Sequence, residues 1–271
     1  MARTYHVTDI RVEGSYGTII GSPEDGAVLA AYARTGAWAE EFNSYFGDFF
    51  EKSGGGTYID IGANIGLTTI PIGRNAAVVC KAFEPEPRNL AYLQENVREN
   101  CPAGNVEIFN TALFDAKTTI EFELAERNLG DHRIRFSGED GAYGEKGRTQ
   151  IVVEADLLDN VLDLKTLPQP IAVKIDTQGA EAHVFAGGRT VLASARLVAF
   201  EFWPYGLARA QGDTASVRRF LEKNFTEGAA AAESQNEPLV WQPVRAITQL
   251  MEELEKDAAN PKVYKNIFVR K

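Results

Sequence analysis

The feature that most constrains the fold of this chain is the run at residues 57–66, which reads TYIDIGANIG. Tyr58, Ile59 and Ile61 suit a buried parallel strand, and residues 67–74 can continue as a helix. A strand that ends in a glycine-rich turn before a helix is typical of nucleotide-binding loops. The run therefore predicts an α/β fold in which free backbone N–H groups lie beside a bound ligand.

The residues of this loop favour a cationic ligand over a diphosphate. Asn64 stands between Gly62 and Gly66, where the dinucleotide fingerprint requires a second glycine, so a pyrophosphate could not approach the backbone as closely. The carboxylate of Asp60, just before the turn, would repel a diphosphate and attract a cation. S-adenosylmethionine carries a sulfonium and an ammonium group and no phosphate, so it fits these charges. The alternative is a strand-to-helix turn that binds nothing.

A second acidic strand end supports this interpretation. Residues 77–84 form a β-prone run that ends in Glu84, 22 residues after Gly62. This spacing is close to the offset of about 20 residues at which an acidic side chain binds ribose hydroxyls. A charge that only favours the next helix N-terminus is the alternative for Glu84. Asp60 and Glu84 together are more specific than either residue alone.

The rest of the chain alternates between predicted strands and helices, which indicates a parallel sheet. Strands are predicted at 57–61, 77–84, 106–110, 171–176 and 196–202, and helices at 38–52, 85–100, 180–192, 214–224 and 245–257. Two alternating runs, 118–124 and 150–154, should pair with each other, and a final strand at 263–269 should add at one edge of the sheet. Four carboxylates would then lie at C-terminal strand ends, where such sheets bind ligands: Asp60, Glu84, Asp176 and Glu201.

We interpret residues 1–35 as an N-terminal extension with a small hairpin, which includes the β-prone residues 5–7, and residues 36–271 as a single domain. Residues 228–233 are rich in small side chains and suggest a loop. The segment 126–148 is polar, glycine-rich and longer than most connections in compact domains. Such segments often act as lids or substrate sites, so we interpret it as an inserted substrate or lid loop.

The charge balance limits the partners that this chain can bind. It has 28 Lys and Arg residues against 38 Asp and Glu residues, a formal net charge of −10. Nucleic acids and anionic membranes require a basic surface, so neither is expected as a partner. No apolar run reaches the roughly 20 residues that span a bilayer, and the N-terminus lacks a signal-peptide core, so the expected location is cytoplasmic. The two cysteines, Cys80 and Cys101, lack metal-ligand spacing, and no metal site is predicted.

Three stretches, YIDIGANIG at 58–66, AFEP at 82–85 and KIDTQGAE at 174–181, together resemble the FkbM family of S-adenosylmethionine-dependent methyltransferases. The resemblance covers residues 38–202. It implies a Rossmann-like, seven-stranded methyltransferase sheet that is mostly parallel with an antiparallel final strand and has helices on both faces. It also implies S-adenosylmethionine as the cofactor and O-methylation of a small molecule, natural product or sugar.

The resemblance further implies roles for individual residues. The methionine part of the cofactor would be surrounded by Asp60, Gly62, Ala63, Asn64 and Gly66, its ribose by Glu84 and Pro85, and its adenine by Asn110 and Ala112. Lys174, Asp176 and Glu181 match the family motif that faces the reaction centre.

Removal of a proton from an alcohol acceptor requires a base. His132, a side-chain type that titrates near neutrality, and Asp176, at a strand end, are the candidates. His132 could equally be a surface histidine, and Lys174 could form a structural ion pair with Asp176 or Glu201. The residues expected to recognise the substrate are Asp131, Arg133, Glu181 and Glu201.

Other functions are compatible with the sequence. The chain could methylate a protein or another macromolecule, although its acidic balance argues against RNA. A nicotinamide-dependent oxidoreductase could use a similar sheet, but Asp60 and Asn64 disfavour it. A protein that binds the cofactor without catalysis is a further alternative. Asp176 and Glu201 could instead bind a divalent metal, but two carboxylates without a third ligand make a weak site. The sequence does not determine the methyl acceptor, the general base, the need for a metal or the oligomeric state.

Overall fold

The computed structural model describes residues 9–231 and 239–271, so the β-prone residues 5–7 and the end of the segment 228–233 lie outside it. The strands of the described chain are β1 (Ile10–Gly14), β2 (Gly17–Gly21), β3 (Gly56–Ile61), β4 (Val78–Phe83), β5 (Val106–Phe109), β6 (Ala112–Leu113), β7 (Thr118–Leu124), β8 (Arg133–Ile134), β9 (Thr149–Asp156), β10 (Ile171–Ile175), β11 (Leu197–Phe202), β12 (Glu227–Ala231), β13 (Gln242–Pro243) and β14 (Lys265–Arg270). Its α-helices are α1 (Val28–Thr35), α2 (Glu40–Ser53), α3 (Thr69–Gly73), α4 (Pro87–Asn100), α5 (Leu158–Val161), α6 (Glu181–Gly187), α7 (Arg189–Ser194), α8 (Pro204–Arg209), α9 (Thr214–Asn224) and α10 (Val244–Glu255).

The central sheet of the described residues has eight strands in the order β13-β12-β14-β11-β10-β3-β4-β5. Strands β11, β10, β3, β4 and β5 are parallel to one another, and β14 runs antiparallel between β11 and β12. The predicted α/β class and the antiparallel final strand are confirmed. The sheet has eight strands and not the expected seven, because the two-residue strand β13 adds to the edge beside β12.

Both faces of this sheet are covered by helices, as predicted. On one face, Tyr58 of β3 packs against Phe46 and Phe50 of α2. The alternate residues Ile59 and Ile61 belong to the apolar core on the other face, which includes side chains of α6, α7, α9 and α10. All six residues of β3 are buried, as expected for a central parallel strand that is covered on both sides.

The hairpin and helix at the start of the described chain pack on helix α4 and its neighbours. Strands β1 and β2 form the predicted antiparallel hairpin. The side chain of Asn96 on α4 accepts a hydrogen bond from the Ile20 N–H and donates one to its carbonyl, which fixes the hairpin to the sheet layer. Helix α1, which the sequence analysis did not identify, follows and is capped by Asp25, whose carboxylate accepts from the N–H groups of Val28 and Leu29.

A second sheet, with the order β6-β9-β7-β8, holds the inserted segment. Strands β7 and β9 pair antiparallel, as the alternating runs predicted. The segment 126–148 is not structureless, because β8 pairs with β7 and Glu145–Gly147 forms a short 3₁₀-helix. The insertion is therefore a structured part of the molecule.

Three predicted elements differ from the structure. The helix expected at 67–74 is only the five residues of α3, which contain Pro71, a residue that disfavours helix propagation. The helix expected at 180–192 is divided at Gly188 into α6 and α7. The loop expected at 228–233 begins as strand β12, where a Cβ on Gly228 would lie 2.8 Å from Ile247 Cγ1, so small residues there allow α10 to pack closely on the sheet. None of the described helices is long and apolar enough to cross a bilayer.

Candidate active site

A cleft of about 1320 Å³ opens at the C-terminal ends of the parallel strands. Glu84 lies just beyond the end of β4, Asp176 lies just beyond β10, and Glu201 is the second-to-last residue of β11, and all three residues line the cleft. Small-molecule sites usually measure about 300–1,000 Å³, so this cleft has room for a cofactor and a second ligand.

The predicted site residues fall into two groups. The cleft is lined by Gly62, Ala63, Asn64, Glu84, Pro85, Ala112, Asp131, His132, Lys174, Asp176 and Glu201. Five others do not line it: Asp60, Gly66, Asn110, Arg133 and Glu181. Asn110 follows the end of β5 with its side chain exposed, and its neighbours Thr111 and Ala112 line the cleft in its place.

The backbone of the glycine loop is already hydrogen-bonded within the chain. The N–H groups of Gly62 and Ala63 donate to the Phe83 carbonyl, and that of Asn64 donates to Glu84 Oε2. The next two N–H groups are also taken, one by Asn64 Oδ1 and one by the Ala63 carbonyl. The prediction of free N–H groups is therefore wrong. Because a diphosphate relies on such donors, this loop suits a ligand without phosphate.

The two loop glycines are required by close packing. Gly62 has a φ of 78°, and a Cβ at this position would lie 1.9 Å from the Asp176 carbonyl oxygen. Gly66 has a φ of 97°, and its Cβ would lie 2.9 Å from Leu93 Cδ1 on α4. Gly66 thus allows the loop to pack on α4. It does not line the cleft, so the prediction that it lies beside the cofactor is corrected. Gly62 instead brings the glycine loop against the backbone of Asp176.

Asp60 and Lys174 form a buried ion pair beneath the loop. Asp60 is fully buried, and its Oδ2 accepts hydrogen bonds of 2.7 Å from the hydroxyls of Thr68 and Thr69. The ammonium Nζ of Lys174 lies 3.2 Å from Asp60 Oδ1 and donates to the Gly62 carbonyl at 2.8 Å. The expected direct contact between Asp60 and the cofactor is therefore corrected: its neighbours enclose the carboxylate, and it acts on the loop through Lys174.

Lys174 carries a fixed positive charge. Burial alone would lower its pKa, but the carboxylates of Asp60 and Asp176 outweigh burial and raise the pKa above its usual value. Its Nζ lies 3.7 Å from Asp176 Oδ2. Lys174 therefore compensates the buried Asp60 charge and holds the loop, and it cannot serve as a proton acceptor near neutral pH.

Glu84 closes the other side of the loop. Its Oε2 accepts from the Asn64 N–H at 2.8 Å and its Oε1 from the Glu86 N–H at 2.9 Å. Burial raises the pKa of this carboxyl to about 7, although the two N–H donors oppose the shift. Each carboxylate oxygen can accept a second hydrogen bond, so Glu84 can bind two hydroxyl donors. A buried carboxylate and a loop without free N–H groups fit a ribose-bearing ligand that has no phosphate.

A strap formed by residues 125–132 lies beside the glycine loop, and all its residues line the cleft. The Leu129 carbonyl accepts two side-chain amides, Asn64 Nδ2 at 2.8 Å and Asn89 Nδ2 at 3.0 Å. The Arg127 carbonyl accepts the Gly26 N–H from the N-terminal extension at 2.8 Å. The side chain of Asn64, predicted to bind the cofactor, thus fastens the strap to the glycine loop.

Replacing Asn89 with Ala should loosen the strap. The change removes one of the two amide donors to the Leu129 carbonyl, so we expect amide hydrogen exchange of residues 125–132 to become several-fold faster. Asn128→Ala is the matched control, because Asn128 lies in the same strap and its side chain accepts a local hydrogen bond from the Gly130 N–H. Equal exchange in Asn89→Ala and wild type would show that the two amides do not hold the strap.

His132 is poorly placed to act as the base. Its Nδ1 accepts the Ala125 N–H at 3.0 Å, which leaves the ring proton on Nε2. Burial lowers the pKa of His132 to about 4, and the nearby Arg148 charge adds to the shift. The ring is therefore neutral at neutral pH and presents a donor to its surroundings. The prediction that His132 accepts the substrate proton is corrected on both grounds.

Arg133 belongs to a buried ion network and not to the substrate surface. Its guanidinium lies near the carboxylates of Glu123, Asp131 and Glu145, at 3.3, 3.2 and 3.7 Å. It also lies 5.1 Å from the centre of the Trp203 ring, a cation–π contact. The predicted substrate contact of Arg133 is thus corrected. The network explains how a polar insertion stays attached to the rest of the described chain. Of Asp131 and Arg133, both expected to recognise the substrate, Asp131 lines the cleft and Arg133 does not.

Glu181 holds the turn after β10. It does not line the cleft, so the prediction that it recognises the substrate is corrected. Its carboxylate is buried and accepts the N–H groups of Thr177 and Gly179. Burial raises the pKa of Glu181, against the effect of these N–H donors. The turn presents Gln178, which the sequence analysis did not select, with its Nε2 donating to Asp176 Oδ1 at 2.7 Å.

Comparisons with known proteins agree with these motifs. A family model described as the methyltransferase FkbM domain matches residues 60–226. The 2-O-methyltransferase NoeI of Sinorhizobium fredii is 26% identical over 166 residues, which cover 53% of this chain and 62% of that protein, less than two thirds of its length. Among solved structures, methyltransferase FkbM from Methylobacillus flagellatus KT has a TM-score of 0.38 and 17% identity and covers 54% of this chain and 32% of that chain. M. jannaschii TYW2 in complex with AdoMet has a TM-score of 0.42 and 12% identity and covers 100% and 90% of the two chains.

Proposed function

The chain belongs to the FkbM family of S-adenosylmethionine-dependent methyltransferases, and we propose that it methylates a hydroxyl group of a small molecule, natural product or sugar. The observation that carries the proposal is the contact between the glycine loop, where the cofactor would bind, and the end of β10, where the acceptor would bind. Gly62 of the cofactor loop lies against the backbone of Asp176, the carboxylate at the end of β10. A cofactor on the loop and an acceptor at Asp176 would therefore be neighbours. The name of the relative NoeI, a 2-O-methyltransferase, supports a hydroxyl acceptor.

The cofactor would be held by Glu84 at its ribose and by the loop from Gly62 to Asn64, under the strap of residues 125–132. When bound, S-adenosylmethionine supplies an electrophilic methyl group on a positively charged sulfur. The residues of the chain then orient the acceptor and exclude water, which is the main requirement of an in-line displacement.

Asp176 is the proposed base. Its side chain is 40% exposed and lines the cleft, so an acceptor can reach it. Its Oδ1 accepts a hydrogen bond from Gln178, so Oδ2 would be the oxygen that accepts the hydroxyl proton when the methyl carbon leaves sulfur for the acceptor oxygen. The ammonium Nζ of Lys174 lies 3.7 Å from this oxygen.

Cofactor affinity should fall as the pH is lowered through neutrality. The folded-state pKa of Glu84, about 7, lies above its unfolded value of about 4.5, so this group makes the fold roughly 3 kcal/mol more stable at low pH than above pH 7, and the difference is lost as the pH rises between these two values. Ribose hydroxyls donate to the ionised form, so binding must remove the proton below pH 7. Calorimetry with S-adenosylhomocysteine from about pH 8 to about pH 5.5 should show affinity weakening by up to about tenfold per unit below pH 7.

Glu84→Gln is the control for this titration. The amide has no proton to release in this range, so its weaker affinity should change little with pH. An identical pH dependence in Glu84→Gln and wild type would remove Glu84 from the ribose site.

A methyl-transfer screen tests the proposed function. The purified chain would be incubated with S-adenosylmethionine that is radiolabelled on its methyl group and with fractionated metabolites, glycans and proteins. Label in a base-stable ether on a small molecule or glycan is the expected result. Label on protein alone, or on nitrogen or carbon, would contradict the assignment of a hydroxyl acceptor.

A further inference from the structure

Gln178 stands between two carboxylates at the acceptor end of the cleft. Its Nε2 donates to Asp176 Oδ1 at 2.7 Å and to Glu201 Oε2 at 3.2 Å. The side chain lines the cleft beside both of them. One amide group therefore links Asp176, the proposed base, to Glu201 at the end of β11. This link determines where the Asp176 carboxylate points.

The backbone holds Gln178 in an uncommon conformation. Its φ is 56°, in the left-handed region that residues other than glycine rarely adopt. The turn is fixed from both sides: Glu181 binds its N–H groups, and a Cβ on Gly179 would lie 2.8 Å from the Gly206 carbonyl. Such conformations persist where the surrounding structure enforces them, and they concentrate at functional sites. Gln178 is therefore presented rigidly to Asp176.

Lys174 competes with Gln178 for the same carboxylate. Its buried ammonium lies 3.7 Å from Asp176 Oδ2, too far for a hydrogen bond. Attraction between the two charges would bring them into direct contact if the amide did not hold Oδ1 in place. A carboxylate in close contact with an ammonium group accepts a proton less readily.

We propose that Gln178 is a positioning residue that keeps the Asp176 carboxylate directed into the cleft and away from Lys174. The proposal rests on the proposed function, in which Asp176 is the base. Gln178 does not itself take part in proton transfer. Its amide fixes one carboxylate oxygen so that the other remains available to the acceptor.

Gln178→Met tests this role. Methionine has nearly the same length and the same left-handed backbone cost but no N–H donor. The chain offers a matched control in Gln211→Met, since Gln211 also has a left-handed backbone, with a φ of 55°, and lies outside the cleft lining. The measurements are kcat and KM for S-adenosylmethionine with the acceptor found in the screen, the melting temperature, and a crystal structure of each variant.

We expect kcat of Gln178→Met to fall by about 10- to 100-fold, with KM for the cofactor and the melting temperature equal to those of Gln211→Met. The crystal structure should show Asp176 Oδ2 closer to Lys174 Nζ than 3.7 Å. A kcat within about twofold of wild type, or a fall in kcat matched by equal losses of affinity and melting temperature, would overturn the proposal. If the wild type transfers no methyl group to any acceptor, the proposed function fails, and an unmoved Asp176 carboxylate in the variant would then overturn the positioning role as well.

Discussion

Asp176→Asn should lower methyl transfer by about 10²- to 10⁴-fold, the usual contribution of a general base. The amide has the shape of the carboxylate but cannot accept the hydroxyl proton at Oδ2. Because the proposal assigns Asp176 to the acceptor and not to the cofactor, we expect the affinity for S-adenosylhomocysteine to stay within about threefold of wild type. Single-turnover transfer to the identified acceptor, combined with calorimetry, measures both effects.

Asp48→Asn is the control for this variant, since Asp48 is an exposed carboxylate on α2 paired with Lys52. It should leave both transfer and affinity unchanged. Transfer by Asp176→Asn within about fivefold of wild type would exclude Asp176 as the base, and Glu201 would then be the carboxylate to test.

Lys174→Met should destabilise the fold by about 3–5 kcal/mol, because it leaves the fully buried Asp60 carboxylate without its counter-charge. The change also removes the hydrogen bond to the Gly62 carbonyl, so the cofactor loop should lose its shape and cofactor affinity should fall. Urea unfolding with and without S-adenosylhomocysteine measures both losses. Asp60→Ala leaves the buried Lys174 ammonium without its counter-charge. We expect it to abolish cofactor binding because the loop held by Lys174 would lose its shape.

A double-mutant cycle separates the ion pair from simple packing. Asp60→Asn combined with Lys174→Met removes both charges, so it should be more stable than Lys174→Met alone. Lys81→Met on the neighbouring strand β4 is the control: its partner Glu107 is 57% exposed, and we expect a loss of at most about 1 kcal/mol. Equal losses in Lys174→Met and Lys81→Met would mean that the buried pair has no special role.

The sequence predicted the strand ends well because the apolar runs and acidic ends are local patterns. Glu84, Asp176 and Glu201 all reach the cleft, as the topology required. Asp60 is the exception, since its carboxylate is enclosed by Thr68, Thr69 and Lys174, a residue of the adjacent strand β10 that is remote along the chain. Local pattern shows where a carboxylate stands on a strand, and only tertiary packing shows whether it faces a ligand or another side chain.

The residues that sequence reasoning misjudged depend on single contacts. The tautomer of His132 depends on one backbone N–H, that of Ala125, and its lowered pKa depends on burial, and no sequence pattern reveals either. Asn64 was correctly placed in the loop, but its partner is the strap carbonyl of Leu129. Gln178 was within a recognised motif, yet its left-handed backbone and its two carboxylate partners are visible only in three dimensions.

Titration calorimetry with S-adenosylhomocysteine and NAD tests the central claim most directly. The hydrogen-bonded N–H groups of the glycine loop and the buried carboxylate of Glu84 favour a ribose-bearing ligand without phosphate. We predict one site per chain with a Kd on the order of micromolar for S-adenosylhomocysteine and no measurable heat with NAD. Saturable binding of NAD, with none of S-adenosylhomocysteine, would contradict the assignment of this chain as an S-adenosylmethionine-dependent methyltransferase.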